Sequence, residues 1–184
     1  MTSDELAAVS DFSIDALTGV VGANWRAKAG VLEWSCWQTA DHIIDCTFSC
    51  AMQIGARAQS GFLPFEELHA KTEATPLDLV TGLRSVTALL VAIVRDSPGP
   101  MTASDGLLDL SLSDWCARAA YELMLHTHDI VWGHGRELDP PLELCRVILN
   151  SDALWMLDRE LSKDGSNPWT ALLLGSGRPA TSQQ

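Results

Sequence analysis

The chain has 184 residues, of which 47% are hydrophobic and 20% charged, a composition typical of a soluble globular protein with one core. Its 24 acidic residues outnumber its 12 basic residues and give a net charge of −12. Such a surface repels nucleic acid, and the sequence has no basic stripe with interleaved aromatic residues, so we expect no nucleic-acid partner.

The sequence also predicts a cytoplasmic protein without a membrane segment. The N-terminus, MTSDELAAVSDF, is acidic and lacks the positive region and apolar run of a signal peptide. The apolar stretch 86–94 is much shorter than the roughly 20 residues of a membrane span. The five cysteines form no CxxC pair, which is typical of reduced thiols in the cytoplasm.

Hydrophobic periodicity predicts a helix from about Ser13 to Trp25, with Ser13 as its N-cap. A second predicted helix begins at Ser35 or Cys36 and ends near Gln59. A long connection over residues 61–74 leads to the third helix.

The third helix has a clear start, because Thr75 is a good N-cap and Pro76 suits the first helical position. Its period continues to Asp96. A second long connection follows, in which LLDLSL (107–112) is the only ambiguous strand pattern. The fourth helix is predicted to begin after a cap at Ser113.

Asp139-Pro140-Pro141 starts a last helical region, which reaches about Leu161 with a break near residues 150–151. We therefore predict an all-α fold, an antiparallel four-helix bundle with long crossover connections and an additional short helix. Residues 1–175 form its single domain, and residues 176–184 are predicted to be a disordered tail.

The fourth helix carries the most informative residues. Glu122 and His126 are four residues apart, so both side chains lie on one face and are able to bind one cation. A third ligand has to come from another helix, and His42, in the middle of the second helix, is the candidate. Each residue also has a structural interpretation: His42 as a hydrogen-bonded core residue, and Glu122 with His126 as a helical hydrogen-bond pair.

The remaining histidines and two cysteines are less informative. His128 lies on the opposite face from His126, and we interpret it and His134 as structural or exposed; His69 lies in a connection and carries no signal. Cys46 and Cys50 share a face with His42, which allows a Cys/His metal or redox site, although small buried thiols are the favoured interpretation. The sequence contains no HExxH, paired ExxH, GxSxG or P-loop motif.

Three segments together resemble a known family. The first, LEWSCWQTADHI, places Trp34 eight residues before His42. The second, CARAAYELMLHTHDI, has an R-x-x-x-E-x-x-x-H-x-x-D pattern formed by Arg118, Glu122, His126 and Asp129. The third, NPWTALLLGSGRP, is similar to the family's C-terminal ending. In order and spacing they resemble the metal-binding domain of mycothiol-dependent maleylpyruvate isomerase, within the DinB-like (YfiT-like) superfamily. The resemblance covers about residues 12–180.

This resemblance implies a DinB-like bundle in which His42, Glu122 and His126 hold a divalent metal, zinc or nickel, with open positions. It also implies that Arg118 and Asp129 support the ligands or pair helices. Similar enzymes use the metal to hold a low-molecular-weight thiol such as mycothiol, which then attacks an electrophilic substrate. The isomerase has a further C-terminal domain for which 184 residues leave no room, so maleylpyruvate itself is in doubt as the substrate.

Three hypotheses follow. The first is a metal- and thiol-dependent transferase or isomerase acting on a small electrophile. The second is a non-catalytic metal-binding or stress-response module. The third is a structural helical dimer in which the three residues only hydrogen-bond to one another. Dimers are common in the family that the sequence resembles, so a homodimer is also possible under the first two hypotheses.

Overall fold

The computed structural model describes residues 1–97, 99–154 and 156–180. These residues form seven helices and one two-stranded hairpin, which confirms a mostly helical protein. The helices are α1 (Ser3–Thr18), α2 (Cys36–Ala56), α3 (Pro76–Asp96), α4 (Leu112–Gly133), α5 (Leu142–Leu149), α6 (Arg159–Ser162) and α7 (Pro168–Gly175). The strands β1 (Thr102–Ser104) and β2 (Asp109–Ser111) pair antiparallel.

The four long helices enclose the core. Helices α1 and α2 each pack against both α3 and α4. Helices α1 and α2 therefore lie across the bundle from each other although they are consecutive in the chain, and the same holds for α3 and α4. The connections over residues 19–35 and 97–111 accordingly cross from one side of the bundle to the other.

The predicted position of the first helix is wrong. Helix α1 begins at Ser3, because Thr2 and Glu5 form a capping box in which each side chain accepts a hydrogen bond from the other's backbone N–H. Ser13 lies buried inside this helix and not at its start. Trp25 lies in the following connection, where its indole N–H donates to the carbonyl of Val20.

The caps of the next two helices are confirmed. Ser35 caps α2 and Thr75 caps α3, each in a capping box. Helix α2 ends at Ala56, three residues before the predicted end, because Arg57 adopts a left-handed conformation with φ of 49°.

Helix α4 begins two residues earlier than predicted, and the all-α prediction missed the hairpin. Ser111, not Ser113, caps α4, in a box with Asp114. The ambiguous segment 107–112 contains strand β2, whose Leu110 is buried opposite Ala103. The fully buried Trp115 donates its indole N–H to the carbonyl of Ala103 at 3.0 Å, which fixes the hairpin to α4.

The C-terminal region is more broken than predicted. Helix α5 ends at Leu149, α6 begins at Arg159 and runs past the predicted limit near Leu161, and α7 was not predicted. The predicted disordered tail began at residue 176, yet Arg178 is buried and ion-paired with Asp129. Residues 181–184 lie outside the described residues.

Among the described residues, one helix, α3, is long and apolar enough to cross a membrane by length and composition. Core helices of soluble proteins pass the same test, and 39% of its most apolar window is buried in the bundle. The cytoplasmic localisation stays a prediction.

Candidate metal centre

Helices α2 and α4 pack against each other and bring the three predicted ligands together. His42 comes from α2, and Glu122 and His126 come from α4, one turn apart. One nitrogen or oxygen of each side chain lies within 4.8 Å of the other two. The structure thus groups these residues into a candidate His/Glu/His metal-binding triad, and metal binding itself stays a prediction.

The His126 ring is held from both sides. Its Nδ1 lies 3.0 Å from Oδ2 of Asp129, and its Nε2 lies 3.2 Å from Oε2 of Glu122. A carboxylate on one ring nitrogen is the arrangement that orients metal-binding histidines, because it fixes the tautomer that leaves the other nitrogen for the metal. Asp129 therefore has the geometry of a supporting residue, as the resemblance implied.

Arg178 completes this chain of contacts. Its Nε donates to Oδ1 of Asp129 at 2.8 Å and its Nη2 donates to Oδ2 at 2.6 Å. The arginine and His126 together hold the pKa of the buried Asp129 carboxyl below its usual value, against the effect of burial. Sequence analysis assigned no role to Arg178, and its only signal was its place in the segment GSGRP of the family-like ending.

Charges within the triad are coupled. Burial opposes ionisation of Glu122, but the hydrogen bond and charge of His126 hold the pKa of Glu122 below its usual value. Burial likewise opposes protonation of His126, and the carboxylates of Asp129 and Glu122 raise its pKa above the usual value. In the metal-free protein a proton on His126 accordingly stabilises both carboxylates.

His42 has a different environment. Its Nε2 lies 3.4 Å from Sγ of Cys46, one turn further along α2. Burial and the neighbouring His126 lower the pKa of His42, so this imidazole favours the neutral form that binds metals. Its ring stands edge-on to that of His126, with 5.2 Å between the ring centroids.

These donors fit a divalent transition metal. Two imidazoles and one carboxylate form the ligand set of several catalytic zinc sites, in which a fourth position stays open. With bonds of about 2.0–2.1 Å, neighbouring ligand atoms in a tetrahedral site lie roughly 3.3 Å apart. The three ligand atoms of the triad lie within 4.8 Å of one another. Small side-chain rotations are therefore enough to bring them to the spacing that one ion requires.

A cleft of about 540 Å³ opens beside His42. We call it the His42 cleft; its lining comprises Trp34, Trp37, Gln38, Asp41, His42, Asp45, Glu67, His69, Ala70 and Thr72. Trp34 precedes the α2 cap, and its ring centroid lies 4.9 Å from that of His42. A second cavity of about 200 Å³ adjoins Glu122 and Cys46.

Two aspartates of α2 fix the wall of the His42 cleft. Asp41 accepts a hydrogen bond from the backbone N–H of Ala70 at 2.7 Å, and Asp45 accepts one from Leu68 at 2.8 Å. Asp41 also contacts Nδ1 of His69 at 2.9 Å. The segment that contains His69, which sequence analysis left without a role, is thus held against α2 on either side of His42.

His128 lies away from the triad, as predicted. It is 9% exposed, and neither ring nitrogen has a hydrogen-bond partner among the described residues. Its ring stacks on Trp132 and meets Trp169 edge-on. Because burial disfavours the charged form, its pKa falls to about 4.

The remaining expectations concern Arg118 and two cysteines. Arg118 pairs with Asp105 beside the hairpin at 2.8 Å and lies over the Trp115 ring, so it joins α4 to the hairpin region. Burial raises the pKa of Cys46 strongly and that of Cys50 to about 12. Both thiols are therefore protonated in the metal-free protein. Cys50 is buried as expected, whereas Cys46 is only half-buried.

Comparisons with protein-family models, with curated proteins and with solved structures found no match to this chain.

Proposed function

We propose that this protein is a DinB-like metalloprotein that uses a low-molecular-weight thiol of the mycothiol type as a nucleophile toward a small electrophile, as a transferase or isomerase. The observation that carries the proposal is that the His42 cleft reaches a ligand of the His42/Glu122/His126 triad. A ligand set buried on all sides would serve structure alone. Three protein donors with one side open are the pattern of catalytic sites, and here His42 forms the open side while His126 is buried.

The residues of the chain have separable tasks. His42, Glu122 and His126 hold zinc or nickel, and Glu122 offsets part of the ion's charge. Asp129 positions the His126 ring, while Arg178 keeps Asp129 ionised and in place. Trp34 forms an aromatic wall beside the two histidine ligands.

When bound, a divalent metal supplies the positive charge that holds a thiol as its thiolate near neutral pH. The chain's own thiols are poorly placed to act in the His42 cleft, because Cys50 is buried in the bundle and Cys46 lines the smaller cavity beside Glu122 and not the cleft. An external thiol therefore fits the proposal better than a protein nucleophile. The volume of the cleft, about 540 Å³, admits a thiol together with a small electrophile.

Cobalt substitution tests the proposal. Co²⁺ is added to metal-free protein, and absorption is recorded before and after addition of 2-mercaptoethanol. The proposal predicts visible bands of low-symmetry cobalt at once, and a near-ultraviolet sulfur-to-cobalt charge-transfer band only after the thiol is added.

The variant Cys46→Ser is the matched control, since it removes the protein sulfur nearest to His42. The band that appears with thiol has to persist in this variant. Cobalt binding without a thiol-dependent band contradicts thiol chemistry and favours the non-catalytic metal-binding module. Absence of cobalt binding contradicts both and favours the structural hypothesis.

A further inference from the structure

The His42 cleft has an unusual charge. Its lining contains the three carboxylates of Asp41, Asp45 and Glu67, and none of the lining residues is lysine or arginine. His69, whose pKa the carboxylate of Asp41 raises, offsets one of these charges when it is protonated. Arg26 adds one positive charge at the border of the cleft, where it donates to the carbonyl of Thr72 at 3.2 Å and lies over the Trp37 ring. The three carboxylates still leave the cleft net negative whether His69 is charged or neutral.

The polar contacts of these carboxylates leave much of their charge uncompensated. Asp41 is paired with His69, while Asp45 accepts a backbone N–H, which carries no full charge. Glu67 contacts Nε2 of His69 at 3.1 Å, and its side chain is 73% exposed. The two charges of a divalent metal in the triad would be balanced by Glu122 and a bound thiolate, so the carboxylates of the lining are left to attract a positive group in the cleft.

Trp34 adds an aromatic face to the same cleft. It is 42% exposed although it is a large apolar side chain, and its ring centroid lies 4.9 Å from that of His42 and 6.4 Å from that of His126. The neighbouring Trp37 already has Arg26 over its ring at 5.4 Å. An exposed indole beside carboxylates is the combination that recognises organic ammonium groups.

We propose that the thiol used at this site carries an ammonium group, which lies in the His42 cleft against Trp34 and the carboxylates of Asp45 and Glu67. This inference rests on the proposed function for its thiol ligand, and it replaces mycothiol itself, whose nitrogens are acylated and uncharged, with a thiol that has a free amine. It disfavours anionic ligands at the same place, including the dicarboxylate substrate of the isomerase family that the sequence resembles.

Three small thiols that differ in charge provide the test. Cysteamine is cationic, 2-mercaptoethanol neutral and 3-mercaptopropionate anionic, and their affinities for the cobalt-loaded protein are read from the sulfur-to-cobalt band at low ionic strength. The quantity compared is the charge preference, which is the affinity for cysteamine divided by that for 3-mercaptopropionate. Comparing it between proteins cancels the different acidities of the three thiols.

We expect the charge preference to fall roughly tenfold in the double variant Asp45→Asn/Glu67→Gln, since each carboxylate contributes about threefold between opposite ligand charges near a surface. The amide side chains introduced by these substitutions retain a hydrogen-bond acceptor of similar size. The control is Glu160→Gln, which removes one exposed carboxylate outside the cleft. Its charge preference has to equal that of the wild type.

The outcomes separate the two proposals. Thiols that bind cobalt with an unchanged preference in the double variant, or with an equal fall in Glu160→Gln, overturn the ammonium inference and leave the thiol function standing. If no thiol produces a band, the thiol function fails. The cleft is then tested in metal-free protein by titration with tetramethylammonium, followed through the indole N–H resonance of Trp34, which Trp34→Phe identifies. A saturating shift supports the cation site, and no shift overturns it.

Discussion

Arg178 and Asp129 form a bidentate, buried ion pair between the C-terminal segment and α4, with distances of 2.8 and 2.6 Å. Asp129 also contacts Nδ1 of His126 at 3.0 Å. A residue that follows the last helix is thereby connected through one carboxylate to the candidate metal ligand. The end of the described chain is consequently part of the support of the triad.

Removing Arg178 tests that support. Arg178→Ala leaves Asp129 buried without its main counter-charge, so we expect the free energy of unfolding to fall by about 3–5 kcal/mol and metal affinity to fall about 10–100-fold. Chemical denaturation and metal titration measure the two effects.

The control for Arg178→Ala is Arg95→Ala. Arg95 pairs with Asp4 at 3.1 Å, but the two side chains are 58% and 88% exposed, so its loss costs less than about 1 kcal/mol. Equal effects of the two substitutions, or unchanged metal affinity in Arg178→Ala, would show that the buried pair does not support the triad.

Glu122→Gln separates charge from shape within the triad. Glutamine preserves the size of the side chain but lacks the charge that binds a cation. Zinc at 100 times its dissociation constant stabilises the wild type by about 2.7 kcal/mol, and we expect no such stabilisation in the variant. Thermal unfolding with and without zinc measures it, and a zinc-dependent rise in the variant's melting temperature would exclude Glu122 as a ligand.

His128 makes the fold sensitive to acid. Its folded pKa of about 4 lies below the ordinary value of 6.5, so the unfolded chain takes up the proton first as pH falls. The contribution of His128 to the free energy of unfolding is therefore fully present above pH 6.5 and is lost between pH 6.5 and 4. The loss reaches about 2 kcal/mol at pH 5. Above that window His128 has no effect of this kind.

His128→Phe has no titratable group and fits between Trp132 and Trp169. Between roughly pH 7.5 and 5, we expect the free energy of unfolding of this variant to fall by about 2 kcal/mol less than that of the wild type, as measured by urea unfolding. Parallel losses in both proteins would mean that His128 is protonated, or hydrated, in the folded state.

Gly133 is required at the end of α4 by a close contact. A Cβ at this position would lie 2.3 Å from the carbonyl oxygen of Lys28, in the connection that leads to Trp34. We expect Gly133→Ala to destabilise the fold by about 1–3 kcal/mol, the usual range for overpacking.

Gly22→Ala is the matched control for Gly133, because nothing lies within 4 Å of a Cβ there. Chemical denaturation of both variants provides the comparison. A Gly133→Ala protein as stable as Gly22→Ala would show that the connection at residues 28–29 does not pack closely on α4.

The long helices could be predicted where caps and period agree. Thr75 followed by Pro76 fixed the start of α3, and Ser35 that of α2. The start of α1 was missed because Ser13 also resembles a cap, while the Thr2/Glu5 box lies in the first residues of the chain. Strand β2 is too short for its alternation to distinguish it from a loop.

The candidate site could be predicted only in part, because local spacing does not show which distant segments come into contact. Helical spacing alone places Glu122 and His126 on one face, and only the family resemblance supported pairing them with His42. No local pattern connects Arg178 to Asp129, which are 49 residues apart. The contact of Asp41 with His69 likewise depends on how a long connection folds back onto α2, and that depends on tertiary packing.

The most direct test of the account is the metal content of the protein. Tag-free protein is purified without chelator, supplied with zinc or nickel, freed of excess metal and examined by elemental analysis, alongside His42→Ala with its helicity checked by circular dichroism. We predict close to one metal per chain in the wild type and almost none in the variant. A wild type that retains no metal, or a variant that retains as much as the wild type, would contradict the assignment of His42, Glu122 and His126 as a metal centre.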